Sequence, residues 1–417
     1  MQHLIIGAGP AGVVAAETLR KCDAQAKIAI VGDEPEPPYS RMAIPYLLVD
    51  HIDESGTYLR DPKQHFKDLD IEVVQQRVDK IDAKQKEVTL ADGSKRRYDK
   101  LLIATGSHPV SPPIPGLDLP QVHSCWTLED ARSIIELAQK GSNVVLIGAG
   151  FIGCIILEAL VKRGVNLAVV ETGNRMVPRM LDEKAGGLLE TWCKNKGIDV
   201  HTSCTVEGLT EAGRDKVEVS LSDGSKLEAA LVITATGVKA NADIVEGTDI
   251  KVDQGIIVNR RMQSSDPDIY AAGDVAQGVD FSTGNFEVQA IQPTATDHGR
   301  IAALNMAGQG DEHHGTLNMN VLDTVGLVSC SFGLWDGVDG GDSAELYNPD
   351  EFQYINLQFD GDLLVGASSV GKTQHIGVLR GLIETKIRLG EWKQRLQQDP
   401  TAVMEAYMAC TQELGYA

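Results

Sequence analysis

The sequence has few cysteines, and none of them lies in a recognisable motif. Its 417 residues include seven cysteines, which form no CxxC or CxxxxC pair, and an odd number argues against a disulfide framework. We expect each cysteine to be a small buried hydrophobic residue. No Cys or His cluster has the spacing of zinc ligands, so we expect no metal site and interpret His313 and His314 as part of a solvated loop.

Positive charge and long apolar runs are also scarce. The 38 basic and 59 acidic residues give a formal charge of -21, which would repel nucleic acids and anionic membranes. The longest apolar run, Val144 to Leu157, is shorter than the roughly 18 to 20 residues of a membrane span, so we predict no transmembrane helix. Because "MQHLIIGAG" indicates a strand almost from the first residue, we expect no signal peptide and a cytoplasmic location.

Two segments share a pattern of apolar strand, glycine-rich turn, helix and apolar strand. One begins with "HLIIGAGPAG" and the other with "NVVLIGAGFIG". In such a unit the first glycine permits a sharp turn, the second lets the backbone approach a pyrophosphate, and the third permits close helix-strand packing. The glycines are Gly7, Gly9 and Gly12 in one copy and Gly148, Gly150 and Gly153 in the other. The chain is therefore predicted to contain two dinucleotide-binding units.

Other elements also occur once per unit. An acid stands at or near the end of the second strand, Asp33 or Glu34 in the first copy and Glu171 in the second, where it can accept hydrogen bonds from ribose. The strands "KLLIATGSHP" and "LVITATGVKAN" each follow a hairpin-like stretch with an Asp-Gly turn. A further short strand, "DIYAAGDVA", places Asp274 beside small residues that a ligand can approach.

The segments "GAGPAG", "IATG", "GAGFIG", "TATG" and "IYAAGD", in this order, resemble the FAD-dependent pyridine nucleotide-disulfide oxidoreductase superfamily. The resemblance covers about residues 1 to 310. It implies an α/β fold with two Rossmann-like domains, for FAD and NAD(P)H, and an α+β C-terminal interface domain. The implied bounds are 1–111 with 241–315 for the FAD domain, 112–240 for the NAD(P)H domain and 316–417 for the interface domain.

The resemblance also implies which residues bind the two cofactors. The FAD candidates are Gly7, Gly9, Pro10, Ala11, Gly12, Asp33, Glu34, Arg41, Ala104, Thr105, Gly106, Gly273 and Asp274. The NAD(P)H candidates are Gly148, Gly150, Phe151, Ile152, Gly153, Glu171 and Gly237. Glu171 can accept both ribose hydroxyls and would repel a 2′-phosphate, which favours NADH, although Arg175 nearby would soften that preference. In the FAD unit, the acid commonly found directly after the strand is replaced by Gly32.

The stretch "DEPEPPYSRMAIPYLLV" resembles the flavin-contacting segment of rubredoxin and ferredoxin reductases, nitrite reductases and coenzyme A disulfide reductases. Thiol-using members carry a redox cysteine where this chain has Met42, and a thioether cannot become a thiolate. Ferredoxin-type reductases often carry a lysine at the position of Tyr46 and an acid at that of Ile155. Because both the lysine and the acid are replaced, neither charge is left buried without its partner. We assign Met42, Tyr46 and Ile155 to the flavin and nicotinamide environment.

The leading functional hypothesis is an FAD enzyme that takes hydride from NADH and passes electrons to rubredoxin, ferredoxin or another iron-sulfur protein. The acidic chain disfavours an acidic carrier unless Arg and Lys residues gather at the docking face. Two alternatives stay open: a flavoprotein subunit or redox sensor of a larger complex with little NADH turnover, and a peroxide-forming NADH oxidase. Ile155 would either pack the nicotinamide against the flavin, or indicate that the NAD(P)H domain is retained only as a structural scaffold. The resemblance also suggests a homodimer through the C-terminal domain.

The C-terminal region contains "GASSVGKT", which matches the GxxxxGKT pattern of a P-loop. The alternation of apolar and polar residues in "YINLQFDGDLLVGASS" instead favours an antiparallel hairpin that turns at Asp360-Gly361. We therefore expect no phosphate site here. The segment "HIGVLRGLIETKIRLGEWKQRL" is predicted to be one amphipathic helix. Its core face would be formed by Ile376, Leu379, Leu382 and Ile383.

Overall fold

The computed structural model describes residues 1–213 and 215–414. The chain forms two compact units. The first unit combines Met1–Val110 with Val238–Thr316, and the second combines Ser111–Gly237 with the chain from Leu317 onwards. The second unit thus contains both the segment assigned to NAD(P)H and the segment assigned to the interface domain. The division into three domains stays a prediction.

The described residues form many short strands and ten α-helices. The strands are β1 (Gln2–Ile6), β2 (Lys27–Gly32), β3 (Ile71–Gln75), β4 (Val78–Asp82), β5 (Glu87–Leu90), β6 (Lys95–Arg97), β7 (Lys100–Ile103), β8 (Ser107–Pro109), β9 (Val122–Ser124), β10 (Asn143–Ile147), β11 (Asn166–Val170), β12 (Asp199–His201), β13 (Val206–Glu211), β14 (Val217–Leu221), β15 (Lys226–Ala229), β16 (Leu231–Thr234), β17 (Val238–Ala240), β18 (Ile256–Ile257), β19 (Ile269–Ala271), β20 (Ala276–Val279), β21 (Phe286–Val288), β22 (Met319–Thr324), β23 (Leu327–Gly333), β24 (Asp342–Asn348), β25 (Gln353–Asp360) and β26 (Leu363–Val370). The helices are α1 (Pro10–Cys22), α2 (Ile44–Leu48), α3 (His65–Asp68), α4 (Leu128–Leu137), α5 (Phe151–Arg163), α6 (Glu183–Asn195), α7 (Gln292–Met306), α8 (Ile376–Thr385), α9 (Glu391–Gln398) and α10 (Val403–Leu414). Among these helices, none is long and apolar enough to cross a membrane.

Each unit contains a five-stranded parallel sheet built on the predicted repeat. The strand order is β19-β7-β1-β2-β3 in the first unit and β12-β11-β10-β16-β9 in the second. The central strands β1 and β10 are apolar along most of their length because both faces of a parallel sheet are covered. In each copy the chain then passes through the glycine turn into a helix, α1 or α5, and returns in the neighbouring parallel strand. The predicted α/β fold with two Rossmann-like units is confirmed.

Antiparallel hairpins form where the Asp-Gly turns predict them. Strand β5 pairs with β6 around Asp92-Gly93, and β14 pairs with β15 around Asp223-Gly224. Strand β25 pairs with β26 around Asp360-Gly361 within the C-terminal sheet, whose order is β22-β23-β26-β25-β24. Because β26 extends to Val370, most of the GxxxxGKT pattern is extended strand and cannot curl around a phosphate.

The predicted single C-terminal helix is wrong, because the segment forms two helices. Helix α8 ends at Thr385, and α9 begins at Glu391. Lys386 and Gly390 adopt φ values of +51° and +54°, which interrupt the helical backbone between them. Leu379, Leu382 and Ile383 are buried as predicted, whereas Ile376 is only half-buried.

One face of the C-terminal sheet carries buried hydroxyl groups. The side chains of Ser329, Ser331, Ser368 and Thr324 are fully buried, and their oxygens have no hydrogen-bond partner within the described part of the chain. Ser331 stands opposite Ser368 in the pairing of β23 with β26. A buried hydroxyl without a partner costs about 1–3 kcal/mol, so this face lowers the stability of the sheet.

A second buried polar group lies in the first unit. His298 on α7 is 3% exposed, and its ring centroid is 4.8 Å from that of His313, in an edge-to-face arrangement. His313 is 6% exposed, and its Nε2 is 3.3 Å from Oδ2 of Asp297. The interpretation of His313 as a solvated loop residue is therefore wrong, because this ring packs between Asp297 and His298, whereas His314 is exposed.

The buried hydroxyls predict that serine removal stabilises the protein. Ser331→Ala and Ser368→Ala should each raise the free energy of unfolding by about 1 kcal/mol, because an unsatisfied buried oxygen is removed with little change in volume. Ser343→Ala on the exposed part of β24 is the matched control and should change it by less than about 0.5 kcal/mol. Urea unfolding monitored by circular dichroism measures these values. A loss of stability in both core variants would contradict the assignment.

The histidine pair predicts a loss of stability in acid. Burial lowers the pKa of His298 from 6.5 to about 3, and the neighbouring His313 acts in the same direction against Asp297. Between these values the unfolded chain binds a proton that the native chain does not, so the free energy of unfolding falls as the pH decreases from about 6.5. His298→Gln should flatten this decline. His314→Gln, at an exposed position, should leave the pH profile of urea unfolding unchanged.

Candidate functional site

The first glycine loop is closed at two of its glycines and open at the third. Gly7 has φ +113°, and a Cβ atom there would lie 2.0 Å from the carbonyl oxygen of Ala104. A Cβ atom at Gly12 would lie 2.1 Å from the carbonyl oxygen of Gly7. By contrast, a Cβ atom at Gly9 would meet no atom within 4 Å, although Gly9 is the N-cap of α1 and no side chain caps that helix. The loop therefore leaves open space at a helix N-terminus, which suits an anion.

The second glycine loop repeats this geometry. A Cβ atom at Gly148 would lie 2.5 Å from the carbonyl oxygen of Ala235, and one at Gly153 would lie 2.1 Å from that of Gly148. Gly150 is the uncapped N-cap of α5 and again faces open space. Phe151 and Ile152 form the first turn of that helix. Both loops thus have the shape that a dinucleotide pyrophosphate requires, with the middle glycine left clear.

Glu171 is placed against the second glycine loop. It directly follows β11 and is 8% exposed. Its carboxylate accepts the backbone N–H of Ala149 at 2.7 Å and that of Gly173 at 2.8 Å. In the first unit the residue that corresponds to Glu171 is Gly32, the last residue of β2. A Cβ atom at Gly32 would lie 2.9 Å from Cβ of Ala8. A carboxylate therefore supports only the second loop from this position.

Hydrogen bonds hold the Arg175 side chain within its own loop. Its Nε donates to the carbonyl oxygen of Leu181 at 2.8 Å, and its Nη2 donates to that of Pro178 at 3.2 Å. Nη1 donates to Oδ1 of Asn174 at 2.7 Å. The guanidinium is thus held by its own loop, and the softening of the NADH preference that the sequence suggested has no support here.

Of the two acids proposed for the FAD ribose, Glu34 is engaged and Asp33 is exposed. Glu34 Oε1 lies 2.6 Å from Nη2 of Arg41, and its other oxygen accepts the hydroxyl of Tyr39 at 2.5 Å. Arg41 therefore has a carboxylate partner in addition to any anion that binds beside it. Tyr39 was not singled out from the sequence, although it lies in the stretch that carries the resemblance.

Asp274 lies in the same unit, in the short 3-10 helix Gly273–Val275 after β19. Burial raises the pKa of Asp274, while a hydrogen bond from Ser107 and the charge of Arg41 oppose that shift. The Ser107 hydroxyl donates to Oδ2 of Asp274 at 2.8 Å. The charge of Arg41 therefore acts on Asp274, although the two residues are far apart in the sequence. Sequence reasoning missed Ser107, which directly follows the "IATG" motif.

The turn after β7 is also fixed by side chains. Thr105 Oγ1 donates to the carbonyl oxygen of Asn241 at 3.0 Å, and Nδ2 of Asn241 donates to the carbonyl oxygen of Thr105 at 2.7 Å. Ala104 presents its carbonyl oxygen to Gly7, and Gly106 has φ +68°. This turn therefore supports the first glycine loop from the neighbouring strand. In the second unit Gly237, with φ +112°, ends the matching "TATG" segment and faces open space.

Met42 and Tyr46 are large apolar side chains at the surface of the first unit. They are 49% and 57% exposed. Met42 lies in the 3-10 helix Arg41–Ala43, directly beside Arg41, and Tyr46 lies in α2. Two exposed side chains, one a thioether and one aromatic, therefore lie close in sequence to Arg41, one of the FAD candidates. Ile155 on α5 is half-buried in the second unit.

The thiols of Cys125 and Cys330 are not prepared for nucleophilic attack. Five cysteines are buried as expected, whereas Cys22 and Cys125 are partly exposed. Burial raises the pKa of Cys330 to about 12, and that of Cys125 also to about 12 with a smaller effect of Asp130. Cys330 lies within β23 and stays protonated at neutral pH. Within the described ranges no group of three or more His, Cys, Asp or Glu residues could hold a metal ion.

Known proteins resemble this chain along most of its length. A family model described as pyridine nucleotide-disulphide oxidoreductase matches residues 1–299. The NADH-dependent phenylglyoxylate dehydrogenase subunit epsilon of Aromatoleum evansii is 31% identical, over 98% of this chain and 98% of its own. The NADH oxidase of Methanocaldococcus jannaschii is 32% identical over 77% of this chain and 73% of its own.

A solved structure shows the same architecture. The ferredoxin reductase for the CYP199A2 system of Rhodopseudomonas palustris superposes with a TM-score of 0.81 at 28% identity, over 89% of this chain and 91% of its own. The two glycine loops, the parallel sheets and these similarities agree with the resemblance seen in the sequence. The chain belongs to the pyridine nucleotide-disulphide oxidoreductase family and is an FAD-dependent oxidoreductase that uses NAD(P)H.

Proposed function

We propose that this enzyme oxidises NADH at the second glycine loop and delivers electrons, through FAD at the first loop, to an iron-sulfur protein. The observation that carries the proposal is the open space at Gly9 and Gly150, each at an uncapped helix N-terminus. FAD supplies the step between the two partners, because it accepts two electrons together and releases them singly. The FAD site would consist of the first glycine loop with Arg41 and Asp274.

The chain's own residues favour NADH over NADPH. Glu171 keeps a carboxylate next to the second glycine loop, where a 2′-phosphate would meet like charge. Arg175, the nearby cation, is held by backbone carbonyl oxygens and is not directed toward a second phosphate. The names of the two relatives above specify NADH, which agrees with this choice.

The environment beside the flavin excludes a sulfur relay and favours an external carrier. Met42 cannot form a thiolate, and buried Cys330 is held as a thiol. Met42 and Tyr46 would cover the flavin, and Ile155 would pack against the nicotinamide without a charge. Electrons must then leave directly from the flavin, and the similarity to a ferredoxin reductase supports an iron-sulfur acceptor.

A second candidate is a flavoprotein subunit of a larger complex. The specific observation in its favour is the relative from Aromatoleum evansii, a named subunit that matches this chain from end to end. In that case the iron-sulfur partner would be a stable subunit and not a diffusing carrier. We further propose a cytoplasmic protein and a homodimer through residues 316–417, for which light scattering after gel filtration would report twice the 44.9 kDa of one chain.

The two loops predict separable losses in glycine variants. Gly9→Ala should weaken FAD binding to the apoprotein at least tenfold, because its methyl group would occupy the pyrophosphate position, while the apoprotein stays folded. Gly150→Ala should retain FAD but weaken NADH binding at least tenfold. Fluorescence titration measures FAD binding, and anaerobic stopped-flow mixing with NADH measures flavin bleaching.

Gly12→Ala provides the contrast, since its methyl group meets the carbonyl of Gly7 and should destabilise the apoprotein itself. The proposed function fails if wild-type flavin is not bleached by NADH. Bleaching followed by electron transfer to oxygen, with none to rubredoxin or ferredoxin, would support the peroxide-forming oxidase instead.

Coenzyme choice should depend on the charge of Glu171. Glu171→Gln should lower the preference for NADH over NADPH, measured as the ratio of kcat/KM values, by about tenfold, which corresponds to about 1.4 kcal/mol. Glu183→Gln, at the exposed start of α6, should leave the ratio unchanged. An unchanged ratio in Glu171→Gln would show that this carboxylate only supports the loop.

A further inference from the structure

The loop between β11 and α6, residues 172–182, is bound to the second glycine loop from two sides. Glu171, which directly precedes it, accepts the backbone N–H of Ala149 at 2.7 Å. Further along, the backbone N–H of Val177 donates to the carbonyl oxygen of Ala149 at 2.8 Å. Ala149 lies between the first two glycines of the second glycine loop. The β11–α6 loop therefore helps to fix the backbone that would bind the coenzyme pyrophosphate.

Val177 is held in a backbone conformation that its side chain disfavours. Its φ is +49°, in the left-handed region, where β-branched residues are rare. The residue is 1% exposed, and its carbonyl oxygen accepts the N–H groups of Met180 and Leu181 at 2.9 and 3.1 Å. Such a conformation persists only where the surrounding structure holds it. The β11–α6 loop therefore depends on its neighbours for its shape.

Helix α6 is one of these neighbours, and its backbone touches the loop directly. A Cβ atom at Gly186 would lie 2.8 Å from the carbonyl oxygen of Met176 and 2.9 Å from Cβ of Arg175. In addition, Nδ2 of Asn174 donates to Oε1 of Glu183 at 2.8 Å. Because the contact at Gly186 has no side chain that could adjust, a shift of α6 would be transmitted to the loop.

The start of α6 is fastened to the C-terminal sheet by Asp182. As the N-cap of α6, this side chain accepts the backbone N–H of Ala185 with Oδ1 at 2.9 Å. Its Oδ2 accepts the hydroxyl of Tyr354 on β25, and Nδ2 of Asn356 donates to the same oxygen at 3.4 Å. Tyr354 is fully buried, and burial together with Asp182 raises the pKa of its hydroxyl, which remains a donor.

A second polar contact between α6 and the sheet is weaker. Lys184 Nζ lies 2.6 Å from Oε1 of Glu345 on β24. Both side chains are partly exposed, and such ion pairs contribute little because water competes for the charges. The Tyr354 hydroxyl also lies 3.3 Å from Oε2 of Glu345, a longer contact than the one with Asp182. The buried hydrogen bond to a charged acceptor is the stronger link.

We propose that Tyr354 is a positioning residue for NADH, which acts through Asp182, α6 and the β11–α6 loop on the second glycine loop. The inference rests on the proposed coenzyme site at that glycine loop. It gives the C-terminal part of the chain, which contributes no glycine loop, a role in coenzyme binding. Small displacements of a binding group lower affinity even when the substituted residue lies far from the ligand.

The first test is Tyr354→Phe, which removes the hydroxyl and keeps the ring. Anaerobic stopped-flow mixing of the FAD-loaded variant with NADH measures the rate of flavin bleaching. The NADH concentration that gives half the maximal rate should rise about fivefold, because one charge-assisted hydrogen bond is lost. The maximal rate should stay within about twofold, because the residues assigned to the flavin are unchanged.

Asp182→Ser breaks the same link from the other side. Serine is a good N-cap, so α6 keeps its cap, but its single oxygen is then used and cannot also accept from Tyr354. We expect the same rise of about fivefold, with no further rise in the double variant, because both substitutions remove one interaction. Phe359→Leu is the matched control. It removes buried volume from the same strand, beside Lys393, and should keep the wild-type half-saturation.

Amide hydrogen exchange reports on the loop itself in the absence of NADH. In FAD-loaded Tyr354→Phe, the peptide covering residues 172–182 should exchange at least fivefold faster than in wild type, because its packing against α6 is loosened. The β5–β6 hairpin of the first unit should exchange at the wild-type rate. Unchanged exchange of the loop in both Tyr354→Phe and Asp182→Ser would overturn the proposed link.

The outcomes separate this inference from the proposed function. Wild-type flavin that NADH does not bleach would overturn the proposed function. Normal bleaching of wild type, with unchanged half-saturation in both link variants, would overturn the positioning role alone. A rise of the same size in Phe359→Leu would also overturn it, because the effect would then come from lost stability of the sheet.

Discussion

Both nucleotide-binding loops depend on one close approach, in which the backbone of the third glycine packs against the carbonyl oxygen of the first. A Cβ atom at Gly12 or Gly153 would lie 2.1 Å from the carbonyl oxygen of Gly7 or Gly148, so no side chain fits at either position. This contact brings the start of each helix against the central strand and turns its N-terminus toward open space. The middle glycine can then face a ligand because its neighbours have made the turn.

The two loops are alike in backbone but are supported differently. Glu171 fastens the second loop by accepting backbone N–H groups, while Gly32 leaves the first loop without such a carboxylate. The first unit instead contains two polar pairs, Arg41 with Glu34 within one short segment and Ser107 with Asp274 across distant segments. Under the proposed function, the first loop would hold a tightly bound flavin and the second a nicotinamide cofactor that is exchanged in each turnover.

Two observations argue against sulfur chemistry in this enzyme. Met42 stands at the sequence position where thiol-using members carry a redox cysteine, and Cys330 is held as a thiol inside β23. Under the proposed function, electrons then leave the flavin through contact with a second protein.

Local patterns were sufficient to predict the glycine turns, the parallel strands and the Asp-Gly hairpins, because each depends on residues close together in the chain. They were also sufficient to favour a hairpin over a P-loop. The break between α8 and α9 was missed because neither Lys386 nor Gly390 forces it, and the two backbone conformations depend on packing. Likewise, the burial of His313 and the contact of Ser107 with Asp274 required the fold. Periodicity and turn chemistry are local and can be read along the chain, whereas burial, electrostatic pairing and the hydrogen bond from Tyr354 to Asp182 arise only when distant segments come together.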